Sequence, residues 1–252
     1  MKVILFFILG FATSCANSNT SSSRLSEIKQ AGILRVGTTG DYAPFSFYQN
    51  KELKGIDIAL AKALSKSIGL NLKLVKTSWP TLSEDLKNRK FDIAMSGITI
   101  KDDRKKIGLF SFPYYKFGKL PIARCKEKNK YTSLKKIDSK NTRVIVNPGG
   151  TNYEFAFEKI KQAKIRVFQD NAKIFNEIAE NRADIMMTDS IEVLYQSKLS
   201  KGILCPTMTT PLTQSEMGIF MPKDEKLRSQ INDWLKKYKD SGKLEKLFSQ
   251  WL

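Results

Sequence analysis

The sequence predicts an α/β protein with two lobes, each a mostly parallel sheet flanked by helices, and a ligand cleft between them. Segments typical of strands and helices alternate twice, over residues 33–96 and again from residue 142 to 190, a pattern typical of parallel sheets covered by helices. Extended segments at residues 108–123 and 205–220 join the two units. The chain has 252 residues and 41% hydrophobic content, which is enough to build two cores.

The first unit follows a short helix at residues 24–31. Its helix at residues 55–69 has apolar side chains at helical spacing, including Ile56, Leu60 and Leu64. A later helix opens with Pro80 near its first turn, where the missing backbone N–H costs little. In order, the unit contains a strand at 33–37, the helix at 55–69, a strand at 70–75, a helix at 79–88 and a strand at 91–96.

The second unit repeats this alternation, and two final helices at residues 224–241 and 243–251 return to the first lobe. We therefore assign residues 25–118 and 213–252 to lobe 1 and residues 119–212 to lobe 2. The elements of the second unit are a strand at 142–146, a helix at 152–162, a strand at 165–168, a helix at 172–180, a strand at 183–187 and a helix from Ser190.

The sequence of residues 1–15 is typical of an export signal. The apolar run at residues 3–12 is too short to span a bilayer but has the length of a signal-peptide core. Small residues directly before Cys15 resemble a bacterial lipoprotein signal, although Ala12 stands where that signal usually has Leu. We expect an exported, periplasmic protein that contacts the membrane only through a lipid on Cys15, if that residue is acylated. Residues 16–24 form a linker.

The charge of +18 raises the question of a nucleic-acid partner. The lysines are spread along the chain and form no block interleaved with stacking aromatics, so we expect none. Diffuse positive charge instead favours anionic ligands through long-range attraction. The chain contains no histidine, which excludes Ser-His-Asp and Cys-His catalysis and His-ligated metals. Acid–base chemistry would fall to Glu, Asp, Lys, Tyr or Cys, and we expect neither a metal nor a cofactor.

Without Cys15, the exported chain keeps two cysteines, Cys125 and Cys205. An even pair in an exported protein favours one disulfide. The alternatives are two buried thiols or a catalytic cysteine, and the latter has no histidine to activate it.

Four polar clusters stand where strands end, and strand ends face the cleft in such folds. Each alone has an ordinary reading as a turn, a core aromatic or a surface charge. Together they supply the backbone N–H groups, hydroxyls and guanidinium that hold a small carboxylate. The candidate residues are Asp41 and Tyr42 in the first cluster, Trp79 in the second, Ser96 and Thr99 with Arg104 in the third, and Gly150, Thr151 and Asn152 in the fourth.

Nearly all of residues 25–252 resemble the periplasmic amino-acid-binding proteins, solute-binding protein family 3. The resemblance implies the periplasmic-binding-protein fold. It also implies that SGITI at residues 96–100 clamps the ligand's α-carboxylate together with Arg104, assisted by Gly150 and Thr151. Asp189, after the Ala-Asp strand, would receive the ligand's ammonium group.

Several stretches resemble one branch of that family, the periplasmic cyclohexadienyl dehydratases, which convert prephenate to phenylpyruvate and arogenate to phenylalanine without a cofactor. In that branch the general acid is a Glu three residues after the amine-binding Asp, which implies Glu192 here. One segment, SEMGI at residues 215–219, is closer to transport proteins. The matching stretches are TTGDY at 38–42, TSWP at 77–80, FDIAMSGI at 91–98, NPGGTN at 147–152 and MMTD at 186–189.

Two functions follow from this resemblance. In the first, the protein is a dehydratase: Lys119 is an extra cation for the substrate's carboxylates, Tyr42 and Trp79 enclose the ring, and Glu192 protonates the leaving hydroxyl. In the second, the same cleft binds an amino acid for an ABC permease, and Glu192 is an ordinary first-turn helix residue favoured by the helix dipole. In either case the partner is a small carboxylate: prephenate, arogenate or an amino acid.

Overall fold

A computed structural model describes residues 23–252 of the protein. The export signal, Cys15 and nearly all of the linker lie outside the described residues. Within the described part, no helix is both long and apolar enough to cross a membrane.

The helices of the described part alternate with strands along most of the chain. Two further segments, Cys125–Tyr131 and Asn171–Lys173, are 3-10 helices. The α-helices are α1 (Arg24–Ala31), α2 (Ile56–Ser67), α3 (Leu82–Lys87), α4 (Asp102–Ile107), α5 (Leu134–Ile137), α6 (Gly150–Lys159), α7 (Ile174–Ala179), α8 (Ser190–Leu199), α9 (Glu225–Asp240) and α10 (Lys243–Ser249).

The strands form two five-stranded sheets and two smaller ones. They are β1 (Ile33–Thr38), β2 (Asp41–Tyr42), β3 (Ser46–Gln49), β4 (Glu52–Lys54), β5 (Asn71–Lys76), β6 (Ile93–Ala94), β7 (Leu109–Phe110), β8 (Tyr115–Phe117), β9 (Lys119–Arg124), β10 (Arg143–Val146), β11 (Lys164–Val167), β12 (Ile185–Asp189), β13 (Leu204–Pro206), β14 (Ser215–Met217) and β15 (Phe220–Met221).

The first sheet has the strand order β5-β1-β6-β15-β7 and forms the base of lobe 1. Strand β1 runs parallel to β5 and β6, and β15 is antiparallel to its neighbours. Helix α2 packs on this sheet through Ile56, Leu60 and Leu64, which are all fully buried. The predicted amphipathic helix is therefore confirmed, and burying each such side chain contributes about 1.5–3 kcal/mol.

The second sheet has the order β11-β10-β12-β9-β13 and forms the base of lobe 2. Strands β10, β11 and β12 are parallel, whereas β9 is antiparallel to both of its neighbours. The two-lobed α/β fold is thus confirmed. Cys125, directly after β9, forms a disulfide with Cys205 in β13, with their Cα atoms 4.8 Å apart. The predicted disulfide is also confirmed, and the two alternatives for these cysteines are wrong.

Two extended segments cross between the lobes side by side. Strand β8 precedes lobe 2 in the chain and pairs in antiparallel fashion with β14, which follows it. Their pairing brings the two crossings together at one edge of the cleft. The assignments of residues 25–118 and 213–252 to lobe 1, and of residues 119–212 to lobe 2, stay predictions.

Two predicted elements of lobe 1 are shorter than expected. The helix predicted at residues 79–88 begins only at Leu82, because residues 78–81 form a turn in which the Ser78 carbonyl accepts from the N–H groups of Thr81 and Leu82. The strand predicted at residues 91–96 is limited to Ile93–Ala94. Gly97, with φ 64°, turns the chain toward the cleft soon after it.

Two predicted helices of lobe 2 have different bounds. The helix expected at residues 152–162 runs from Gly150 to Lys159 instead. Its end is fixed by Asp138, whose Oδ1 accepts the N–H groups of residues 161–163 at 2.6–2.9 Å and so holds them out of the helix. The helix expected at residues 172–180 is divided into the 3-10 turn Asn171–Lys173 and α7.

Candidate functional site

A closed cleft lies between the two lobes and receives residues from both. Its free volume is about 20 Å³, room for roughly one water molecule. Of the predicted site residues, Tyr42, Trp79, Thr99, Gly150, Thr151, Asn152 and Asp189 line it. The structure therefore brings all four predicted strand-end clusters to one place.

Direct contacts hold the lobes together around the cleft. Asn171 of lobe 2 donates from Nδ2 to the backbone carbonyl of Asp41 in lobe 1, at 3.0 Å. Tyr42 donates its hydroxyl to Asp189. At the rim, Lys101 and Glu154 form an ion pair with an N–O distance of 2.5 Å. Ligand entry requires these contacts to open, since the closed cleft has no room for a molecule larger than water.

The aromatic wall of the cleft depends on one glycine. Gly97 has φ 64°, and a Cβ there would lie 2.5 Å from Cε1 of Tyr42. Only glycine therefore allows the Tyr42 ring to approach the Ser-Gly-Ile turn. Trp79 meets that ring edge-on, with the centroids 5.6 Å apart, and its Nε1 donates to Asp41 Oδ1 at 3.1 Å. Asp41 thus orients the wall without lining the cleft.

Lys119 does not line the closed cleft, but its ammonium group bonds to three residues that do. Its side chain is 5% exposed, and its Nζ lies 2.5 Å from Oδ1 of Asp189, which is equally buried. The same ammonium donates to Thr151 Oγ1 at 2.9 Å and to Asn152 Oδ1. Because Lys119 neutralises Asp189, these two groups together present no net charge to a ligand.

Arg104, on the unpredicted helix α4, is a second buried cation and, like Lys119, does not line the closed cleft. One of its nitrogens, Nη1, donates to the carbonyl of Thr99 at 2.9 Å. Burial lowers the pKa of Arg104 to about 10, although the negative charges of Glu154 and Asp189 act to raise it. No carboxylate in the described part of the chain lies within 4.0 Å of the guanidinium, although burying a charge is costly unless it is paired.

Ser96 does not line the cleft. It is fully buried, and its Oγ accepts from the Thr39 backbone N–H at 3.2 Å and bonds to the Thr39 hydroxyl at 2.8 Å. These bonds join the turn after β6 to the turn after β1. In this structure Ser96 supports the walls of the cleft from behind.

Glu192 is a buried acid in the first turn of α8, with 2% of its surface exposed. Its Oε2 accepts from the hydroxyl of Thr188, which in turn accepts from Asn152 Nδ2 at 3.0 Å. Burial holds the pKa of Glu192 well above its usual range. The Thr188 bond lowers this pKa, and the negative charge of Asp189 raises it further. The environment favours the protonated acid, whose bare oxygen still accepts the Thr188 bond.

Glu192 lies two hydrogen bonds behind the cleft-lining residue Asn152, through Thr188. It does not line the closed cleft itself but lines an adjacent cavity of about 380 Å³, together with Asp41 and Asn171. Thr188 and Asn152 are the connection between the acid and the cleft.

Three residues at the site were not predicted individually from the sequence. Asn147 and Asn171 line the cleft, and Thr188 holds Glu192. Asn147 and Thr188 lie within the NPGGTN and MMTD stretches at strand ends, and that position could have identified them as site residues. Asn171 follows a strand of lobe 2 without any motif, and only the closed structure shows its contact with lobe 1.

Asp57 lies beneath the Ser-Gly-Ile turn and is also fully buried. Its Oδ2 accepts from the Gly97 N–H at 2.6 Å and from the Tyr114 hydroxyl at 2.9 Å, while Oδ1 has no hydrogen-bond partner among residues 23–252. Burial raises the pKa of Asp57 to about 7. The turn that carries Gly97 therefore rests on a carboxyl group that titrates near neutral pH.

The raised pKa values of Asp57 and Glu192 predict that stability falls with rising pH. Both groups bind their protons more tightly when folded, so this contribution is complete below the unfolded pKa and is lost as pH rises through the folded pKa. For Asp57 the window is from 3.8 to about 7, and for Glu192 it begins at 4.5 and extends upward. Carboxyls with lowered pKa values, such as Glu177, are already ionised in this window.

We expect Glu192→Gln to have a higher melting temperature than the unsubstituted protein at pH 8, and a smaller difference at pH 5. Each kcal/mol that the substitution adds to the free energy of unfolding raises the melting temperature of a protein of this size by about 2–4 °C. Thermal unfolding followed by circular dichroism at both pH values measures this. Equal pH dependence of the two proteins would contradict the raised pKa of Glu192, because Asp57 is common to both.

Comparison with known proteins agrees with this architecture. The family model described as bacterial extracellular solute-binding proteins, family 3, matches residues 34–252. The cyclohexadienyl dehydratase of Pseudomonas aeruginosa is 41% identical over 239 residues, which cover 94% of this chain and 89% of that protein. The L-cystine-binding protein TcyJ of Escherichia coli is 29% identical over 230 residues, covering 90% and 85% of the two chains.

Two solved structures of ancestral proteins are also similar. An ancestral amino acid-binding protein, described as a precursor of cyclohexadienyl dehydratase, is 38% identical with a TM-score of 0.84, covering 91% of this chain and 99% of that chain. An ancestral cyclohexadienyl dehydratase is 47% identical with a TM-score of 0.58, covering 92% and 97%.

Proposed function

Because the chain belongs to the bacterial extracellular solute-binding proteins, family 3, we propose that it uses the cleft of this family as a cyclohexadienyl dehydratase. Its substrates would be prephenate, converted to phenylpyruvate, and arogenate, converted to phenylalanine. The observation that carries the proposal is Glu192, a buried carboxyl group with a raised pKa two hydrogen bonds from the ligand cleft. The 41% identity with the Pseudomonas aeruginosa enzyme supports it.

The hydrogen-bond donors of the site, with Arg104 as the cation that has no carboxylate partner in residues 23–252, suit a substrate with two carboxylates. Arg104 has no carboxylate partner among the described side chains, and Lys119 is shared between Asp189 and the hydroxyl and amide of residues 151 and 152. Hydroxyls of Thr99 and Thr151 and the backbone at the start of α6 add donors. In a dry cleft such donors bind carboxylates more strongly than in water.

Glu192 then supplies the acid for the reaction. Its proton goes to the ring hydroxyl, whose C–O bond breaks so that water leaves. The ring carboxylate leaves as CO₂, and the electrons of its C–C bond complete the aromatic ring. A positioned general acid contributes about 10²–10⁴-fold to such a step. To act, Glu192 must reach the substrate hydroxyl past Thr188 and Asn152, which separate it from the closed cleft.

The transport function uses the same cleft without the acid. An amino acid's carboxylate would meet Arg104 and Thr151, and its ammonium would meet Asp189, with an ABC permease as the partner. This function gives no reason to bury Glu192: an acid that only favours the helix dipole does so from an exposed position. The burial of Glu192 therefore favours the dehydratase.

Incubation of the purified chain with prephenate at neutral pH tests the proposal. We expect phenylpyruvate to form at a rate well above the uncatalysed background. No turnover, together with tight binding of a proteinogenic amino acid in a calorimetric titration, would assign the protein to transport instead.

We also propose that the mature protein is periplasmic and anchored through a lipid on Cys15. The description of the family as extracellular supports export. Incorporation of labelled palmitate into the protein, and its loss in Cys15→Ala, would support the anchor. Equal labelling of both forms would contradict it.

A further inference from the structure

A second cavity of about 380 Å³ lies beside the ligand cleft, and Glu192 forms part of its wall. We call it the rim cavity. Residues of both lobes line it, from the segment around β2 and β3 in lobe 1 and from α7 and α8 in lobe 2. Its lining residues include Asp41, Tyr48, Asn176, Glu192, Tyr195 and Gln196.

One face of α8 leads along the rim cavity from solvent to Glu192. Glu192, Tyr195, Gln196 and Leu199 are spaced at i, i+3, i+4 and i+7, and all four line the cavity. Leu199 is 61% exposed, whereas Glu192 is 2% exposed. Tyr48, on the opposite wall, is 58% exposed. The rim cavity is therefore open at its outer end and reaches the acid at its inner end.

The cleft gives Glu192 no comparable access to solvent. Its free volume is about 20 Å³, and the groups between it and the acid are Thr188 and Asn152. Thr188 is completely buried, and an amide such as that of Asn152 is far too weak an acid to protonate a carboxylate at neutral pH. While the lobes are closed, the rim cavity is the space through which bulk water can reach Glu192.

The proposed reaction makes a source of protons for Glu192 chemically necessary. Prephenate enters as a dianion, and one proton is added as it becomes phenylpyruvate, CO₂ and water. Glu192 gives up that proton when the C–O bond breaks and is left as a carboxylate. Before the next turnover it must regain one proton from solvent, where the buffer is the final donor.

We propose that the rim cavity is the route by which solvent water re-protonates Glu192 without opening of the lobes. This inference rests on the proposed function and adds a second, water-bearing site to it. The polar wall suits this role, because the carboxyl of Asp41 and the hydroxyl of Tyr195 can hold a file of water molecules. An empty apolar cavity of similar size would stay dry.

Filling the rim cavity tests the inference. Gln196 is one helical turn from Glu192, and Gln196→Trp places a large ring in the cavity. The matched control is Leu194→Trp, on the same helix but 52% exposed and outside the cavity. Rapid mixing of each protein with excess prephenate measures the first turnover and the steady state separately.

For Gln196→Trp we expect a first turnover close to that of the unsubstituted protein, because Glu192 starts protonated. Later turnovers should be at least 10-fold slower, with an increased solvent deuterium isotope effect on kcat. Leu194→Trp should behave like the unsubstituted protein. If Gln196→Trp does not fold, Asn176→Trp at the exposed mouth of the cavity replaces it, with the same expectation.

Two outcomes would overturn the inference. An unchanged steady-state kcat in a folded, cavity-filled variant would show that Glu192 regains its proton through the open cleft, and this leaves the proposed function intact. Lack of turnover by the unsubstituted protein would overturn the proposed function, and the inference with it. If Gln196→Trp also loses its first turnover, that substitution has damaged the acid itself, and Asn176→Trp decides between the outcomes.

Discussion

Replacing Glu192 with Gln is expected to lower kcat for prephenate by about 10²–10⁴-fold, the usual share of a general acid. Gln has the same shape and can still accept the Thr188 bond, but it holds no proton to give. KM should change by less than about threefold, because the carboxylate-binding groups are untouched. Steady-state kinetics of phenylpyruvate formation measure both parameters.

Glu245 provides a matched control, since it is also an acid in the first turn of a helix, α10, but is exposed. Glu245→Gln should leave kcat unchanged. If the two variants were equally active, Glu192 would be an ordinary helix-start residue and would have no part in the chemistry.

Replacing Arg104 with Met is expected to raise KM for prephenate at least 30-fold while leaving the melting temperature unchanged or higher. Truncating one partner of a buried charge pair costs about 2–5 kcal/mol of binding. Without ligand, the guanidinium has no carboxylate partner in the described structure and its burial is a cost, which Met of similar volume removes. Kinetics and thermal unfolding of the same variant measure the two effects.

Lys106, on the same helix and 77% exposed at its side chain, is the control for lost positive charge. Lys106→Met should change KM by less than about twofold, because an exposed charge is screened by solvent and salt. A clear loss of stability in Arg104→Met with an unchanged KM would show that Arg104 supports the fold and does not bind the ligand.

Much of the fold follows from local patterns. The apolar spacing of α2 and the buried run of β12 are visible in the sequence because their periodicity directly reflects which side chains face a core. Helix α4, which carries Arg104, has no such pattern: its six residues are mostly charged, and only Arg104 is buried. Its position therefore depends on packing against the rest of lobe 1, which no local pattern encodes.

The candidate site was likewise only partly predictable from the sequence. Strand ends and motifs were enough to place Trp79 and Asp189 at one cleft, because in such folds the carboxyl ends of strands from both lobes face the cleft. They did not show that Ser96 lies behind the wall, or that Glu192 faces the rim cavity. The orientation of Ser96 is set by its bonds to Thr39 within lobe 1. The rim cavity is formed by both lobes and depends on closure, which contacts between distant residues such as Asn171 and Asp41 set.

The site also carries a cost in stability. Asp57, Arg104 and Glu192 are buried ionisable groups whose pKa values are shifted by burial. A protein selected only for stability would replace such groups with apolar ones. Their presence around one cleft is typical of a functional site, where shifted pKa values are concentrated.

The most direct measurement of the central claim is the protonation state of Glu192 itself. Infrared difference spectra between the unsubstituted protein and Glu192→Gln isolate this one carboxyl, since Asp57 is present in both. At pH 7 we predict the C=O stretch of a protonated acid, which gives way to carboxylate bands only at higher pH. Carboxylate bands already present at pH 7, without the protonated C=O stretch, would contradict the assignment of Glu192 as the acid.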